Sequence, residues 1–371
     1  MTTSAKPVVF LALSGGVDSA VAALLLQKKG YEVKGIFLKI WSDKMDEAGV
    51  CPWVQDRLDA IAVAAKLDIP LITLDFEAEY KQEVFHYFVQ EYAAGRTPNP
   101  DILCNEVIKF GAFLDYALSH GADYIATGHH VRRAPQDGKG QDQTYQLLAG
   151  IDPKKDQSYF LSRLNQHQLR HSLFPIGAMT KQQVRFLAHE HGLDVVADKR
   201  STRGICFIGK VDLRRFLSKY TIQKPGDIVD VNGKVIGSHK GVSFYTIGQR
   251  KGLEIPAASP DSAAFYVVSK DAERNRLVVA NGDNAALEKH LVYAQELHWL
   301  DGKIKTFPLN CQARIRYHQE LQPVTISFEG DSAMQQGRLS IEFAKAQRFV
   351  APGQFAVFYD GETVLGSAII V

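Results

Sequence analysis

Short apolar runs alternate with segments of helical period through residues 1–130, and this alternation is the strongest constraint on the fold. Val8–Leu13 reads as a strand, Asp18–Lys29 as a helix ended by Gly30, and Val33–Leu38 as a second strand. Val54–Leu67 follows as helix, Leu71–Asp75 as strand and Glu79–Ala94 as helix. Lys109–His120 reads as a further helix ending at Gly121, with Tyr124–Thr127 as the next strand. Apolar strands separated by amphipathic helices are covered on both faces, which predicts a parallel, doubly wound α/β sheet. Gly30 and Gly121 stand where left-handed helix caps belong. Thr180–His191 opens with Thr180 and Gln183 in capping-box spacing and places Val184, Leu187 and Ala188 on one face, so it extends the same domain.

Between these elements, Ala94–Cys104 (AGRTPNPDILC) is rich in proline, glycine and asparagine and reads as an ordered loop. Arg133–Thr144 reads as a polar hairpin tip. The texture changes after about residue 210: a short helix is expected over Val211–Tyr220 and small strands over Gly226–Tyr245. From Phe265 strands dominate, at Phe265–Ser269, Arg276–Ala280, Gln312–Tyr317, Val324–Phe328, Arg338–Phe343, Gln354–Tyr359 and Thr363–Val371. Asp360-Gly361 marks the last hairpin turn. The pattern predicts a small mixed domain followed by a closed C-terminal β-barrel of about a hundred residues. The expected division is 1–210, 211–283 and 284–371.

Bulk properties exclude several classes. The 371 residues are 46% hydrophobic and 23% charged, ordinary globular values. No apolar run approaches the ~18 residues of a membrane span, and Met1–Pro7 is too short and polar for a signal peptide. Cys51, Cys104, Cys206 and Cys311 lie far apart without a CxxC pair, so reduced thiols in a cytoplasmic setting are expected and structural zinc is not. The net charge is only +2, yet twelve Lys/Arg against three Asp fall between Lys199 and Lys251. Such a band fits either a polyanion such as nucleic acid or a solvated surface with counter-charges elsewhere in the chain.

The first strand runs into Ser14–Ser19, SGGVDS, and then into a helix. Backbone N–H groups at a helix start favour phosphate through hydrogen bonds and the helix dipole. Gly15 and Gly16 permit close approach, Ser14 and Ser19 add hydroxyls, and Asp18 is placed to hold Mg²⁺ between phosphate oxygens. A Walker A loop needs a lysine that is absent here. A bare glycine turn would need only SGG. The hexapeptide resembles the signature of the ATP-pyrophosphatase (PP-loop) family, with an adenine nucleotide alpha hydrolase-like sheet, whose members cleave ATP between the α and β phosphates to adenylate a substrate. Amidating, ligating and thiolating enzymes share it, so the loop alone leaves the acceptor open.

Further motifs resemble the tRNA-specific 2-thiouridylases along almost the whole chain. They are AGRTPNPDILCN at Ala94–Asn105, IKF at Ile108–Phe110, GADYIATGHH at Gly121–His130, KDQSYFL at Lys155–Leu161, GICFIG at Gly204–Gly209, YTIGQRKGL at Tyr245–Leu253, ARIRY at Ala313–Tyr317 and PGQFAVFYDG at Pro352–Gly361. The resemblance implies that ATP with Mg²⁺ adenylates the C2 oxygen of the wobble uridine in tRNA, and that sulfur then displaces AMP. It implies a catalytic domain over 1–210, a tRNA-contacting central domain and the barrel. By resemblance Cys206 carries a persulfide received from an upstream sulfur donor, Cys104 is the catalytic nucleophile, and the two form a transient disulfide that a reductant reopens. Lys199, Arg200 and Arg203 beside Cys206 would favour its thiolate. Asp101, three residues before Cys104 in the same loop, is expected to act as general acid or base.

The family's ATP contacts fall on Ala12, Leu13, Ser14, Gly15, Gly16, Val17, Asp18, Ser19, Leu38 and Gly128. Its tRNA contacts fall on Asn99, Pro100, Asp101, His129, Lys155, Asp156, Gln157, Arg316, Tyr317 and Gln354. Without the family, Asn-Pro-Asp reads as a turn, Lys155-Asp156-Gln157 as a surface turn, and the last three as ordinary barrel surface. Adjacent histidines point apart on a strand, so His129–His130 is assigned no metal. Cys51 receives no role, and Cys311 is expected in the barrel core. The chain departs from the family at Ser201-Thr202-Arg203, where an acidic residue and serine are common, which bears on the surroundings of Cys206. It departs again at His130, where tyrosine is common and little consequence is expected.

Overall fold

A computed structural model describes residues 6–42, 52–199, 213–221, 224–253, 255, 264–331 and 336–371. Cys51, Cys206, Arg200, Arg203 and the Ser201-Thr202-Arg203 departure lie outside the described residues.

The N-terminal strands are β1 (Val8–Ala12), β2 (Glu32–Lys39), β3 (Leu71–Asp75) and β4 (Tyr124–Ala126), and α1 (Val17–Lys28) and α2 (Pro52–Leu67) follow β1 and β2. With β7 (Ser172–Leu173) they form one sheet in the order β3-β2-β1-β4-β7, every neighbouring pair parallel. The doubly wound expectation is met. Period 2 along β1 sends Val9 and Leu11 into a core under α1 and α2, and Phe10 into a second core on the opposite face. Gly30 and Gly121 adopt φ of 84° and 82° and close their helices.

The stretch Ala94–Cys104, read as a loop, is one only as far as Asn99. A helical run starts at Pro100, passes through Pro100–Leu103, a π-helical stretch Cys104–Ala112, and Phe113–Ser119. Asn99 caps it, its Oδ1 accepting from the Ile102 N–H at 3.3 Å, and Pro100 takes the first helical position. The residues that spell a turn also spell a helix start, because proline lacks an N–H and the first turn has no partner for one. Asp101 and Cys104 therefore stand on a helix.

Arg133–Thr144 is the tip of a hairpin of β5 (Val131–Pro135) and β6 (Tyr145–Ala149). A four-stranded central sheet contains β8 (Gly226–Asp230), β9 (Val235–His239), β10 (Phe265–Asp271) and β11 (Arg276–Asn281), in the order β10-β11-β8-β9. Thus the strands at Phe265 and Arg276 pair in this central sheet and not with the barrel strands.

The closed barrel uses β12 (Glu288–Trp299), β13 (Leu309–Arg314), β14 (Gln322–Asp331), β15 (Gln336–Arg348), β16 (Phe355–Asp360) and β17 (Thr363–Ile370). β12 pairs with both β15 and β17 and closes it. Sequence reading missed β12, because two register shifts and the positive φ of Glu296 (55°) break its alternation. The last hairpin turn is Gly361-Glu362, since Asp360 already pairs with Thr363. β6 adds to β17 through Thr363 opposite Leu148, so a hairpin of the N-terminal region extends the barrel sheet. No helix among the described residues is long and apolar enough to cross a membrane.

Candidate active site

Sheet order reverses between β1 and β4, because β2 lies to one side of β1 and β4 to the other. In open α/β sheets the crevice at the carboxyl ends of such strands is where ligands sit. SGGVDS leaves β1 at this point, and Thr127–His130 leaves β4. Gly15 has φ 70°, and a Cβ there would fall 2.0 Å from the Asp56 carbonyl oxygen, so only glycine fits. A Cβ on Gly128 would lie 2.7 Å from the Ser19 nitrogen. The second loop thus packs on the start of α1.

Gly16 caps α1 without any side-chain hydrogen bond to its first N–H groups. The Ser19 hydroxyl donates to the Gly16 carbonyl at 3.0 Å and accepts from the Ser14 N–H at 3.2 Å, while the Ser14 side chain is exposed. Leu13 N–H bonds the Ile36 carbonyl at 2.8 Å, which keeps the end of β2, with half-buried Leu38, beside the loop. Ala12–Ser19, Leu38 and Gly128 therefore lie together at the carboxyl ends of β1, β2 and β4.

Asp18, which the sequence places to hold Mg²⁺ between phosphate oxygens, is bonded by two side chains from elsewhere in the chain, Lys181 and His130. Lys181 Nζ lies 2.7 and 2.6 Å from its two oxygens, and His130 Nε2 lies 3.1 Å from Oδ1. Burial works to raise the Asp18 pKa, but the His130 hydrogen bond and the Lys181 ammonium outweigh it, and the group titrates below its ordinary value. Lys181 is only 9% exposed, and burial pulls its own pKa down against the attraction of Asp18. Sequence reading missed this lysine, although it lies three and seven residues before Val184 and Ala188 on one buried helical stripe. His130 was expected to matter little; it is 1% exposed and bonded to the loop aspartate.

Lys199 was placed among the cations beside Cys206. Its ammonium is committed to Asp56 at 2.7 Å, to Asp59, and to the Gly15 carbonyl at 3.0 Å. It braces the Ser14–Ser19 loop at Gly15.

Cys104 is 1% exposed in the second core, and burial pushes its thiol up to about 11, with Lys109 opposing and Asp101 reinforcing the shift. The π-helical stretch begins at this residue, and such turns often accompany function. Asp101 is half-buried one turn earlier. Phe110, farther along, sets its ring 5.9 Å from that of His129, which joins the cysteine helix to the loop after β4. His129 itself is buried, with Nδ1 2.8 Å from the Thr127 hydroxyl.

The other expected tRNA contacts divide. Asp156 is buried and accepts from the N–H groups of Gly150 and Ser158 at 3.1 and 3.0 Å, with Arg314 at 3.5 Å. Gln157 accepts the His130 N–H at 3.0 Å. Pro100 is buried, Asn99 and Lys155 are half-buried, and Arg316 is exposed. Tyr317 packs on Phe160 at 4.4 Å, and the Phe160 carbonyl accepts from Asn105 beside Cys104 at 3.3 Å. Gln354 donates to the carbonyls of Thr97 and Pro98. Cys311 is a half-buried free thiol in β13 rather than fully core.

Three family models match in succession. Residues 7–210 match the tRNA methyl transferase HUP domain, 214–281 the tRNA methyl transferase PRC-barrel domain, and 289–370 the aminomethyltransferase beta-barrel domain. A tRNA-specific 2-thiouridylase MnmA from Ruthia magnifica subsp. Calyptogena magnifica is 47% identical over 363 residues, 98% of this chain and 96% of the relative. Its namesake from Shigella boydii serotype 4 (strain Sb227) is 47% identical over 373 residues, 100% of this chain and 98% of the relative. Among solved structures, NMN synthetase from Francisella tularensis is 19% identical over 60% of this chain and 81% of that one, with a TM-score of 0.35, too distant to bear on function. Identity at this level along the full length leaves one assignment: the chain belongs to the tRNA-specific 2-thiouridylase family.

Proposed function

We propose that this chain is an ATP-dependent tRNA-uridine 2-sulfurtransferase. The observation that carries the reading is SGGVDS at the β1/β4 reversal, followed by a helix whose cap, Gly16, has no side chain to bond its first N–H groups. That is a polyphosphate cradle without a Walker lysine. It favours thiolation over the methyl transfer in the family-model descriptions, because methyl transfer has no need of a pyrophosphate-gripping loop.

In the proposed reaction ATP, with Mg²⁺ as part of the substrate, lies against Ala12–Ser19, Leu38 and Gly128. The uridine C2 oxygen attacks the α phosphorus, the α–β bridging bond breaks, and pyrophosphate departs with the electron pair. The carbonyl oxygen has then become part of AMP, a far better leaving group. The terminal sulfur of a Cys206 persulfide attacks C2 and AMP leaves. Cys104 then attacks the Cys206 sulfur, releasing 2-thiouridine and a Cys104–Cys206 disulfide. The sulfane sulfur is reduced as the two thiols are oxidised, and an external reductant restores them. Asp101 moves the proton that this sequence requires.

The basic stretch 199–251 and the exposed Arg316 support a tRNA backbone contact. A separate persulfide carrier loads Cys206, and the setting is cytoplasmic. The test incubates purified protein with tRNA, ATP-Mg²⁺, a cysteine desulfurase with cysteine as the persulfide source, and a thiol reductant, then analyses nucleosides and nucleotides. Formation of 2-thiouridine with AMP is expected; ADP in place of AMP, or no 2-thiouridine, overturns the reading.

A further inference from the structure

The partnering of Asp18 is unusual for its position. Asp18 sits in the first turn of α1, whose cap is Gly16, a residue with no side chain to bond the first N–H groups. A bare carboxylate there would repel an incoming phosphate. Lys181 comes from 163 residues away, at the start of the helix Lys181–Glu190, and bonds both carboxylate oxygens. Burying an ammonium is unfavourable unless it is fully partnered, and Lys181 is buried. An ammonium has three donors. Among the described residues its hydrogen-bond partner is Asp18, which takes two of them.

His130 adds a second observation. Its ring is buried, Nε2 is on Asp18, and Nδ1 has no partner among the described residues. His130 keeps Asp18 anchored if Lys181 turns toward another anion. Both side chains approach from outside SGGVDS, Lys181 on its helix and His130 on the loop after β4.

We propose that Lys181 is a polyphosphate-binding residue of this active site, neutralising Asp18 in the free protein and donating to the β and γ phosphates of ATP when the nucleotide is bound. As the α–β bond breaks, the electron pair collects on the β-phosphate oxygen, and the fixed ammonium offsets that charge. The inference rests on the ATP-using reading above.

The test compares ATP, inorganic pyrophosphate and AMP binding to the wild-type chain, Lys181→Met and Lys181→Arg by calorimetry. Loss of one charge-assisted hydrogen bond predicts about tenfold or greater weakening for ATP and pyrophosphate in Lys181→Met. AMP, which lacks those phosphates, is expected to change by less than about threefold, and Lys181→Arg to recover most of the affinity. Equal weakening for AMP, or none for ATP and pyrophosphate, overturns the proposal. If Lys181→Met unfolds, the binding comparison moves to Lys181→Arg and Lys181→Gln, checked by thermal melting. A wild-type chain that binds neither ATP nor pyrophosphate fails the ATP-using reading itself, a result distinct from a Lys181 variant that binds them as well as wild type.

Discussion

Gln354, just before β16, donates its side-chain amide to the Thr97 carbonyl at 2.7 Å and to the Pro98 carbonyl at 3.2 Å. The Thr97 N–H answers with a 2.8 Å bond to the Pro352 carbonyl. The barrel thus grips the residues immediately before Asn99, the cap of the helix that carries Cys104. Gln354→Ala removes two bonds and is expected to lower stability by about 1–2 kcal/mol in urea unfolding without tRNA. An unchanged midpoint would return Gln354 to a purely surface role.

Gly15 has both a positive φ and no room for a side chain. Gly15→Ala must push against the Asp56 backbone as well as adopt a disfavoured conformation, so a loss of about 2 kcal/mol or more is expected. Urea unfolding together with ATP titration checks it, and wild-type values for both would contradict the packing described.

Cys104 is closed off and its thiol is held protonated by burial. In tRNA-free protein its alkylation by iodoacetamide at pH 8 should be far slower than that of a free thiol, since only about one in a thousand is ionised. Peptide mapping after timed alkylation reads this directly; rapid labelling would show a helix that opens readily.

Cys104→Ser and Cys206→Ser should each abolish 2-thiouridine formation while ATP binding survives. Nucleoside analysis and calorimetry on the two variants provide the measurement. Full thiolation by either variant would remove the sulfur role from that residue.

His129 is kept neutral, first by burial and then by the charges of Lys109 and His130, with Asp18 opposing. Its pKa in the folded protein lies well below the ordinary 6.5. The unfolded chain binds the proton more readily, so this contribution to stability is fully present above about pH 6.5. It is lost as pH falls toward the folded pKa, at up to about 1.4 kcal/mol per pH unit. Urea midpoints between pH 7.5 and 5.5 should fall less steeply in His129→Gln than in wild type, and equal slopes would refute the assignment.

What was legible in the sequence was local. Hydrophobic period and caps depend on near neighbours, so β1 to β4, α1, the Gly30 and Gly121 caps and SGGVDS could be read directly. Asn99-Pro100 was misread for the same reason, since one local pattern serves both a turn and a helix start. β12 was missed where bulges interrupt its alternation. The Lys181–Asp18 pair, the Lys199 brace on Gly15 and the Gln354 grip on Thr97 join residues 163, 184 and 257 positions apart. Only tertiary packing brings such groups together, because it sets how one helix or strand lies against another. The chain alone thus determined that the glycine-rich loop SGGVDS stands at the head of a parallel sheet. The folded structure decided which charges face that loop and how tightly Cys104 is enclosed.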